Sequence, residues 1–201
     1  MNVEGRGQVA PQPVTKYLGR VTCLHAARVA RERDRRKQYS RSESEWKRGI
    51  GGILEDEYAG TMNASQKAIY VGLLGEYAVA LEISDRTGIR VHVDDRLYDG
   101  GDRGFDLQVY GLKIDVKNRG GRDFRSRVRV AVGRDKCALS FVENCDAYVF
   151  AEWLQSDRVV LLGWVWRKDV KHQPLVEGLG LWWIIVVEDG QLLTVDVAPV
   201  I

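Results

Sequence analysis

The chain has 201 residues, of which 45% are hydrophobic and 29% are charged, a make-up that is ordinary for one globular domain with a sizeable core. The formal net charge of +2 conceals two basic segments. From Lys16 to Arg48 there are eleven Lys and Arg against four Asp and Glu, and from Arg119 to Lys136 there are seven against two. Such clusters favour a polyanionic partner and disfavour a protein in which the basic segments only maintain solubility, although a solvated charged surface remains the alternative.

The cysteines and the apolar runs limit the compartment. Cys23, Cys137 and Cys145 form no Cys-x-x-Cys pair, so neither a zinc ribbon nor a disulfide framework is indicated. No apolar run approaches the length of a spanning helix, and the N-terminus lacks an apolar signal segment. We therefore expect a cytoplasmic protein in a reducing compartment, with no membrane partner.

The N-terminal third is predicted to precede the main domain. Residues 1–14 are rich in Gly, Pro and Gln and are expected to form a flexible arm. Residues 15–62 are expected to form a basic helical extension, in which Thr15 caps the first helix and Glu43 to Tyr58 form an interrupted second one. The apolar residues of the first helix are Leu18, Val21, Leu24, Ala27 and Val29.

A long helix opens the predicted main domain, residues 63–201. It begins at Ala64 and continues to about Arg86, before Thr87 and Gly88 end it. Its apolar stripe contains one acid, Glu76, among Ile69, Leu73, Ala80 and Ile83. A carboxylate there is costly without a partner, so Glu76 either faces a functional site or pairs with an Arg at the rim of the core.

Two glycines of this helix, Gly72 and Gly75, would let it approach a sheet closely. A short strand is predicted over Arg90 to Val93.

A β-hairpin is predicted from two runs that alternate between apolar and polar residues, Phe105 to Val109 and Leu112 to Lys117. The two-residue turn between them places Val109 opposite Leu112. That register sets Asp106 opposite Asp115, roughly 5 Å apart at Cβ, with Lys117 on the same face.

Two facing carboxylates need a raised pKa on one of them or a cation between them. Mg²⁺ prefers carboxylate oxygens and keeps several waters, so Asp106 and Asp115 make a candidate metal site. The alternative is a solvated outer face on which Lys113 and Lys117 neutralise the aspartates.

This pattern resembles the core of the PD-(D/E)XK nuclease superfamily, the fold of many restriction endonucleases and Holliday-junction resolvases. The matching residues are Asp106 after Gly104-Phe105, and then Asp115-Val116-Lys117. Glu76 stands where members commonly carry a helical Glu, and the resemblance covers about residues 66 to 153. The Pro that often precedes the first Asp is absent.

The resemblance implies an α/β (α+β) fold with a restriction-endonuclease-like mixed central sheet flanked by helices. It implies a metal-dependent deoxyribonuclease, in the first place an endonuclease. Asp106, Asp115 and the Val116 carbonyl would hold Mg²⁺, which Mn²⁺ can replace. Glu76 would assist them, and Lys117 would orient or activate the attacking water. The alternative is a nucleic-acid-binding accessory protein that keeps such a fold without efficient catalysis.

The predicted partner is DNA, and duplex cleavage by one site per chain would favour a homodimer. No phosphate-binding Gly-x-x-x-x-Gly-Lys-Ser/Thr loop is present, so no nucleotide cofactor is expected. The arginines expected to contact phosphates are Arg119, Arg122, Arg125, Arg127 and Arg129, together with Arg31, Arg35 and Arg36.

The C-terminal part is predicted to be mostly strand. Strands are expected over Arg127 to Val132, Asp146 to Trp153 and Val159 to Trp164, and a short helix over Trp166 to Val170. A final hairpin, formed by Leu181 to Val187 and Gln191 to Val197, is expected to close the sheet.

Overall fold

The structure is a computed structural model that describes residues 13–35, 58–95, 105–120, 129–134, 144–177 and 180–186. Two helices are described, α1 (Arg20–Arg35) and α2 (Ala64–Thr87), and a single 3-10 turn spans Arg167–Asp169. The strands described are β1 (Val14–Tyr17), β2 (Leu107–Val109), β3 (Leu112–Gly120), β4 (Arg129–Arg134), β5 (Ala147–Gln155), β6 (Arg158–Trp166), β7 (Lys171–Glu177) and β8 (Gly180–Val186). The described chain is therefore a mixed α/β protein, as predicted.

The described strands form two sheets. The first has the order β1-β6-β5-β3-β2, and in it only β3 and β5 run parallel. The second has the order β4-β8-β7. The prediction that residues 181–187 close the main sheet is wrong, because both edges of β8 are hydrogen-bonded to β4 and β7. Its predicted partner, Gln191 to Val197, lies outside the described residues.

Helix α2 has strong signals at both ends. The side chain of Asn63 accepts a hydrogen bond from the Gln66 amide, and the Gln66 side chain accepts one from the Asn63 amide, which together form a capping box. At the other end Gly88 has a φ of 72°, a conformation that glycine adopts without steric cost. The predicted helix bounds are confirmed.

The predicted helix cap at Thr15 is wrong. Residues 14–17 form β1, which pairs antiparallel with β6 at the edge of the main sheet, and the helix begins only at Arg20. Burial alternates along β1, and two of its residues, Val14 and Thr15, are β-branched, so the segment suits an edge strand. Residues 14–17 form a strand because the edge of β6 is available to pair with them. Local helix propensity contains no information about that distant edge.

Helix α1 packs through small side chains. Its buried residues are Cys23, Ala26, Ala27, Val29 and Ala30. Two residues of the predicted apolar face, Val21 and Leu24, are exposed, Val21 by 82%. The face of α1 that packs toward α2 is therefore rotated from the predicted one.

The main core lies between these helices and one face of the five-stranded sheet. It contains Ile114 and Val116 of β3, Ala147 and Val149 of β5, and Leu73 of α2. Leu18, Cys23, Ala59 and Met62 belong to the same cluster. The described parts of the predicted extension, 15–62, therefore contribute a strand and a helix to the core of the main domain.

Three smaller predictions have clear outcomes. Arg90 to Val93 form no strand, and this irregular segment is held instead by Asp95, whose carboxylate accepts a hydrogen bond from Tyr77 and pairs with His25 at 2.5 Å. The short helix predicted near Trp166 is the 3-10 turn. The arm and the interrupted helix fall almost wholly within residues 1–12 and 36–57, outside the described residues.

Neither described helix combines the length and the apolar character that crossing a bilayer requires.

Candidate active site

The hairpin of β2 and β3 has the predicted register. Val109 pairs with Leu112 and Leu107 with Ile114. Tyr110 and Gly111, in the turn, have φ values of 49° and 85°, and positive φ at both central residues is the signature of a type I′ turn. The alternating pattern and the turn length were therefore sufficient to place the whole Asp-x-Lys segment, Asp115 to Lys117, on β3.

Asp106 ends the hairpin in an irregular way. Its amide donates to the carbonyl of Ile114 at 2.9 Å, although Ile114 is in register with Leu107, so the ladder slips by one residue as in a β-bulge. Its carboxylate accepts a hydrogen bond from the Val116 amide at 2.6 Å. The side chain of Asp106 thus continues the hydrogen bonding of β2 to β3 beyond the end of the strand. The prediction that Asp106 pairs directly opposite Asp115 is wrong, because the regular register ends at Leu107 and the bulge shifts Asp106 by one residue.

Asp115 and Lys117 share one face of β3, as predicted. The Lys117 ammonium donates to the Asp115 carboxylate at 2.6 Å, and Asp115 is only 7% exposed. Ile114 and Val116, which alternate with them, belong to the core beneath the helices, so Asp115 and Lys117 lie on the other face of the sheet.

Glu76 lies on the helical side of the sheet, and Asp106 connects the two sides electrostatically. Glu76 is buried on α2. Burial raises the pKa of Asp106 well above the usual range, and the negative charges of Glu76 and Asp115 raise it further. Lys117 and the hydrogen bond from Val116 oppose that rise. The four predicted catalytic residues are therefore close enough for their charges to interact around Asp106.

A close contact between α2 and β3 fixes this arrangement. The side-chain amide of Asn118 donates to the Val71 carbonyl at 2.6 Å, and its Oδ1 atom is buried without a described hydrogen-bond partner. A Cβ on Gly75 would stand 2.4 Å from the Asn118 Cβ. The predicted close approach is therefore confirmed at Gly75, and it is wrong at Gly72, where a Cβ would have open space.

The oxygen atoms of Asp106, Asp115, Glu76 and the Val116 carbonyl are chemically suited to bind Mg²⁺, although the side chains are not arranged as a ligand cluster. Carboxylates and a backbone carbonyl are the oxygen ligands that Mg²⁺ prefers, and the raised pKa of Asp106 marks excess negative charge that a cation would relieve. No group of three or more His, Cys, Asp and Glu side chains in the described residues stands at metal-binding spacing. Lys117 supplies the positive charge next to Asp115.

The predicted phosphate-binding arginines are only partly placed. Arg119 lies near the end of β3 and Arg129 begins β4. Arg31 donates to the Tyr58 carbonyl and to the Thr61 hydroxyl, so it joins α1 to the chain that precedes α2. Arg35 is exposed and pairs with Glu32 at 3.6 Å. Arg36, Arg122, Arg125 and Arg127 lie outside the described residues.

Three residues near Asp115 were missed by the sequence reasoning. Tyr148 of β5 is in register with Asp115 and fully buried. Burial raises the pKa of the Cys145 thiol to about 11, the charge of Asp115 raises it too, and a hydrogen bond from Tyr148 and the charges of Lys117 and Arg167 oppose this. The parallel alignment of β3 with β5 brings Tyr148 and Cys145 to Asp115, and the pairing of β5 with β6 brings Arg167 there. No local sequence signal indicates either pairing.

Comparison of the chain with protein-family models, with curated proteins and with solved structures finds no match in any of the three.

Proposed function

We propose that this protein is a metal-dependent nuclease that hydrolyses phosphodiester bonds of DNA, in the first place an endonuclease, on a restriction-endonuclease-like sheet. The observation that carries the proposal is the environment of Asp106, whose pKa is raised by burial and by the charges of Glu76 and Asp115. Two carboxylates and a lysine on a hairpin, with a third carboxylate on the helix beside them, are a costly arrangement for folding alone. A site for a cation and a phosphate explains that cost.

The proposed roles follow from where each group lies. Asp106, Asp115 and the Val116 carbonyl would hold the ion, and Glu76 approaches from α2. When bound, Mg²⁺ supplies the positive charge that stabilises the transition state at the phosphorus. Lys117, released from Asp115, orients or activates the water whose oxygen attacks the phosphorus while the bond to the leaving oxygen breaks. The buried setting strengthens each of these interactions.

The architecture supports the same proposal. An antiparallel hairpin carries the acids, a parallel strand follows it beside β3, and a helix bearing Glu76 packs on β3. The hydrogen bond from Asn118 to the Val71 carbonyl fixes this helix on β3 within one residue of Lys117, and Val71 lies five residues before Glu76.

A second candidate is a nucleic-acid-binding accessory protein without efficient catalysis. Two contacts favour it, because each acid of the hairpin already has a partner within the protein. The Asp106 carboxylate accepts from the Val116 amide, and the Asp115 carboxylate accepts from Lys117.

One experiment separates the two candidates. The protein is incubated with linear, circular and branched DNA in Mg²⁺ or in EDTA, and the products are resolved on a gel. The expected result is that circular DNA is cleaved in Mg²⁺ and is not cleaved in EDTA. Binding without cleavage of any substrate in Mg²⁺ or Mn²⁺ would replace the nuclease by the accessory protein.

A further inference from the structure

We propose that Arg167 is a phosphate-binding residue of this site, contacting the nucleic-acid backbone beside the phosphate that is cleaved. The inference rests on the proposed function and adds to it a contact from β6, outside both basic segments of the sequence. Arg167 is the first residue of the 3-10 turn that follows β6.

The strand pairing places Arg167 on the same face of the sheet as Asp115. Trp166 is extended, pairs with Ala147 and packs against the core beneath the helices. The next residue, Arg167, therefore lies on the opposite face. Tyr148 and its neighbour in register, Asp115, lie on that face as well.

The same pairing places Arg167 at the correct end of the strands. Its amide donates to the Asp146 carbonyl at 2.9 Å, and Asp146 is held in turn at the start of β3 by two hydrogen bonds with the Lys113 backbone. Asp115 is two residues along β3 from Lys113. Because neighbouring strands are about 4.8 Å apart, β6 runs roughly 10 Å from β3, a gap that a side chain as long as arginine can partly span.

The charges around Cys145 support this placement. Burial raises the pKa of the Cys145 thiol to about 11 and Asp115 raises it further, whereas Lys117 and Arg167 lower it. The Cys145 thiol therefore lies within the fields of Asp115, Lys117 and Arg167 together. A phosphate at this end of the sheet would meet the positive charges of both Lys117 and Arg167.

The Arg167 guanidinium is better placed to bind a phosphate than to pair with a carboxylate on this face. A guanidinium binds phosphate oxygens through two parallel hydrogen bonds. Within the described residues, the Arg167 guanidinium has no ion pair with a carboxylate, and the carboxylate of nearby Asp146 accepts from the Lys113 amide. Arg167 is half-buried, so its side chain is held near the sheet while part of it stays accessible.

The test measures DNA affinity against salt concentration, in EDTA so that no cleavage occurs. Arg167→Gln should weaken binding of a labelled duplex and reduce the slope of log K against log[salt] by about 0.9, because one phosphate contact is lost. Arg167→Lys should retain the wild-type slope. The matched control is Arg158→Gln, at the opposite end of β6, which should leave the slope unchanged.

The outcomes separate this inference from the nuclease proposal. An unchanged slope in Arg167→Gln, or an equal loss in Arg158→Gln, overturns the role of Arg167 while the wild type still cleaves DNA. A wild type that neither binds DNA in EDTA nor cleaves it in Mg²⁺ overturns both.

A second measurement uses only the wild-type protein, so it does not depend on how the variants fold. Bound duplex should protect Arg167, and not Arg158, from modification by phenylglyoxal, as read by mass spectrometry of the peptides. Equal modification of Arg167 with and without duplex contradicts the inference.

Discussion

Asp106 is the residue whose position has the most consequences. Its carboxylate does the work of a backbone carbonyl by accepting from Val116, and it lies within the fields of two other acids. The first role holds the hairpin together, and the second weakens the folded state whenever the carboxylate is ionised. The hydrogen bond from Val116 favours the ionised form of Asp106, whereas burial and the neighbouring acids favour its protonated form.

Replacing Asp106 by Asn should keep the hydrogen bond from Val116 and remove the charge of the side chain. The pKa of Asp106 is raised above 3.8, so the folded protein binds this proton more tightly than the unfolded chain does. Wild-type stability should therefore fall as the pH rises from about 3.8 through the raised pKa. Asp106→Asn keeps an acceptor for the Val116 amide and does not titrate, so its stability relative to wild type should increase across that range. Urea midpoints measured from pH 3.5 to 8 without metal test this.

A carboxylate with the opposite shift provides the control. Burial raises the pKa of Asp95, but hydrogen bonds from His25 and Tyr77 lower it overall. Asp95→Asn should therefore lose stability relative to wild type as the pH rises through the lowered pKa to about 3.8, and the difference should stay constant above that, so this control is also measured below pH 3.8. If both variants change with pH in the same direction, the fields around Asp106 are not those described.

Lys117 is the second residue at which a single change is informative. Lys117→Ala removes the amine proposed to position the attacking water and leaves the carboxylates in place, so cleavage should fall by orders of magnitude while DNA binding persists. Cleavage rates and duplex affinity are measured on the same preparation. Lys67→Ala, on the first turn of α2, is the control and should cleave at the wild-type rate. Cleavage by Lys117→Ala at the wild-type rate would remove Lys117 from the chemistry.

At the scale of elements, local patterns predicted well and remote partners did not. The alternation from Phe105 to Lys117 and the turn at Tyr110-Gly111 predicted the hairpin register because all the determinants lie within a few residues. Thr15 looked like a helix cap because the sequence cannot show that β6 offers an edge. The parallel pairing of Asp115 with Tyr148 was missed for the same reason.

The contact between α2 and β3 joins the two sides of the candidate site, and two glycines on one helix test it. Gly75→Ala places a methyl group against Asn118 and should destabilise the fold by about 1–3 kcal/mol. Gly72→Ala meets open space and should stabilise the helix by about 0.5–1 kcal/mol. Urea denaturation of the two variants gives both values.

Adding Asn118→Gly to Gly75→Ala should recover part of the lost stability, since it removes the clashing atoms. Equal effects of the two alanine substitutions would show that α2 does not rest on Asn118.

At the scale of the whole molecule, the sequence predicted the mixed α/β class and the residues of the candidate site, but not how the sheet divides. Glu76, Asp106, Asp115 and Lys117 gather at one end of a sheet because a helix and a hairpin, each locally specified, pack through Gly75 and Asn118. Arg167 arrives there only through β5 and β6. Because the site is assembled from three distant segments, a bound cation should stabilise the whole fold. Its binding should therefore change the free energy of unfolding.

Mg²⁺ should therefore raise the Tm of the wild type, because an ion that binds only the folded state stabilises it by about 2.7 kcal/mol at 100 times Kd. For a chain of this size that corresponds to roughly 5–10 °C. Asp115→Asn removes a ligand and part of the repulsion on Asp106, so its Tm should not respond to Mg²⁺. Glu82→Gln is the control, since Glu82 is equally buried but pairs with Lys16 and Arg86 away from the hairpin. It should melt lower than wild type and keep the full Mg²⁺ shift. If Asp115→Asn keeps that shift too, the cation is held elsewhere and the nuclease proposal loses its main physical support.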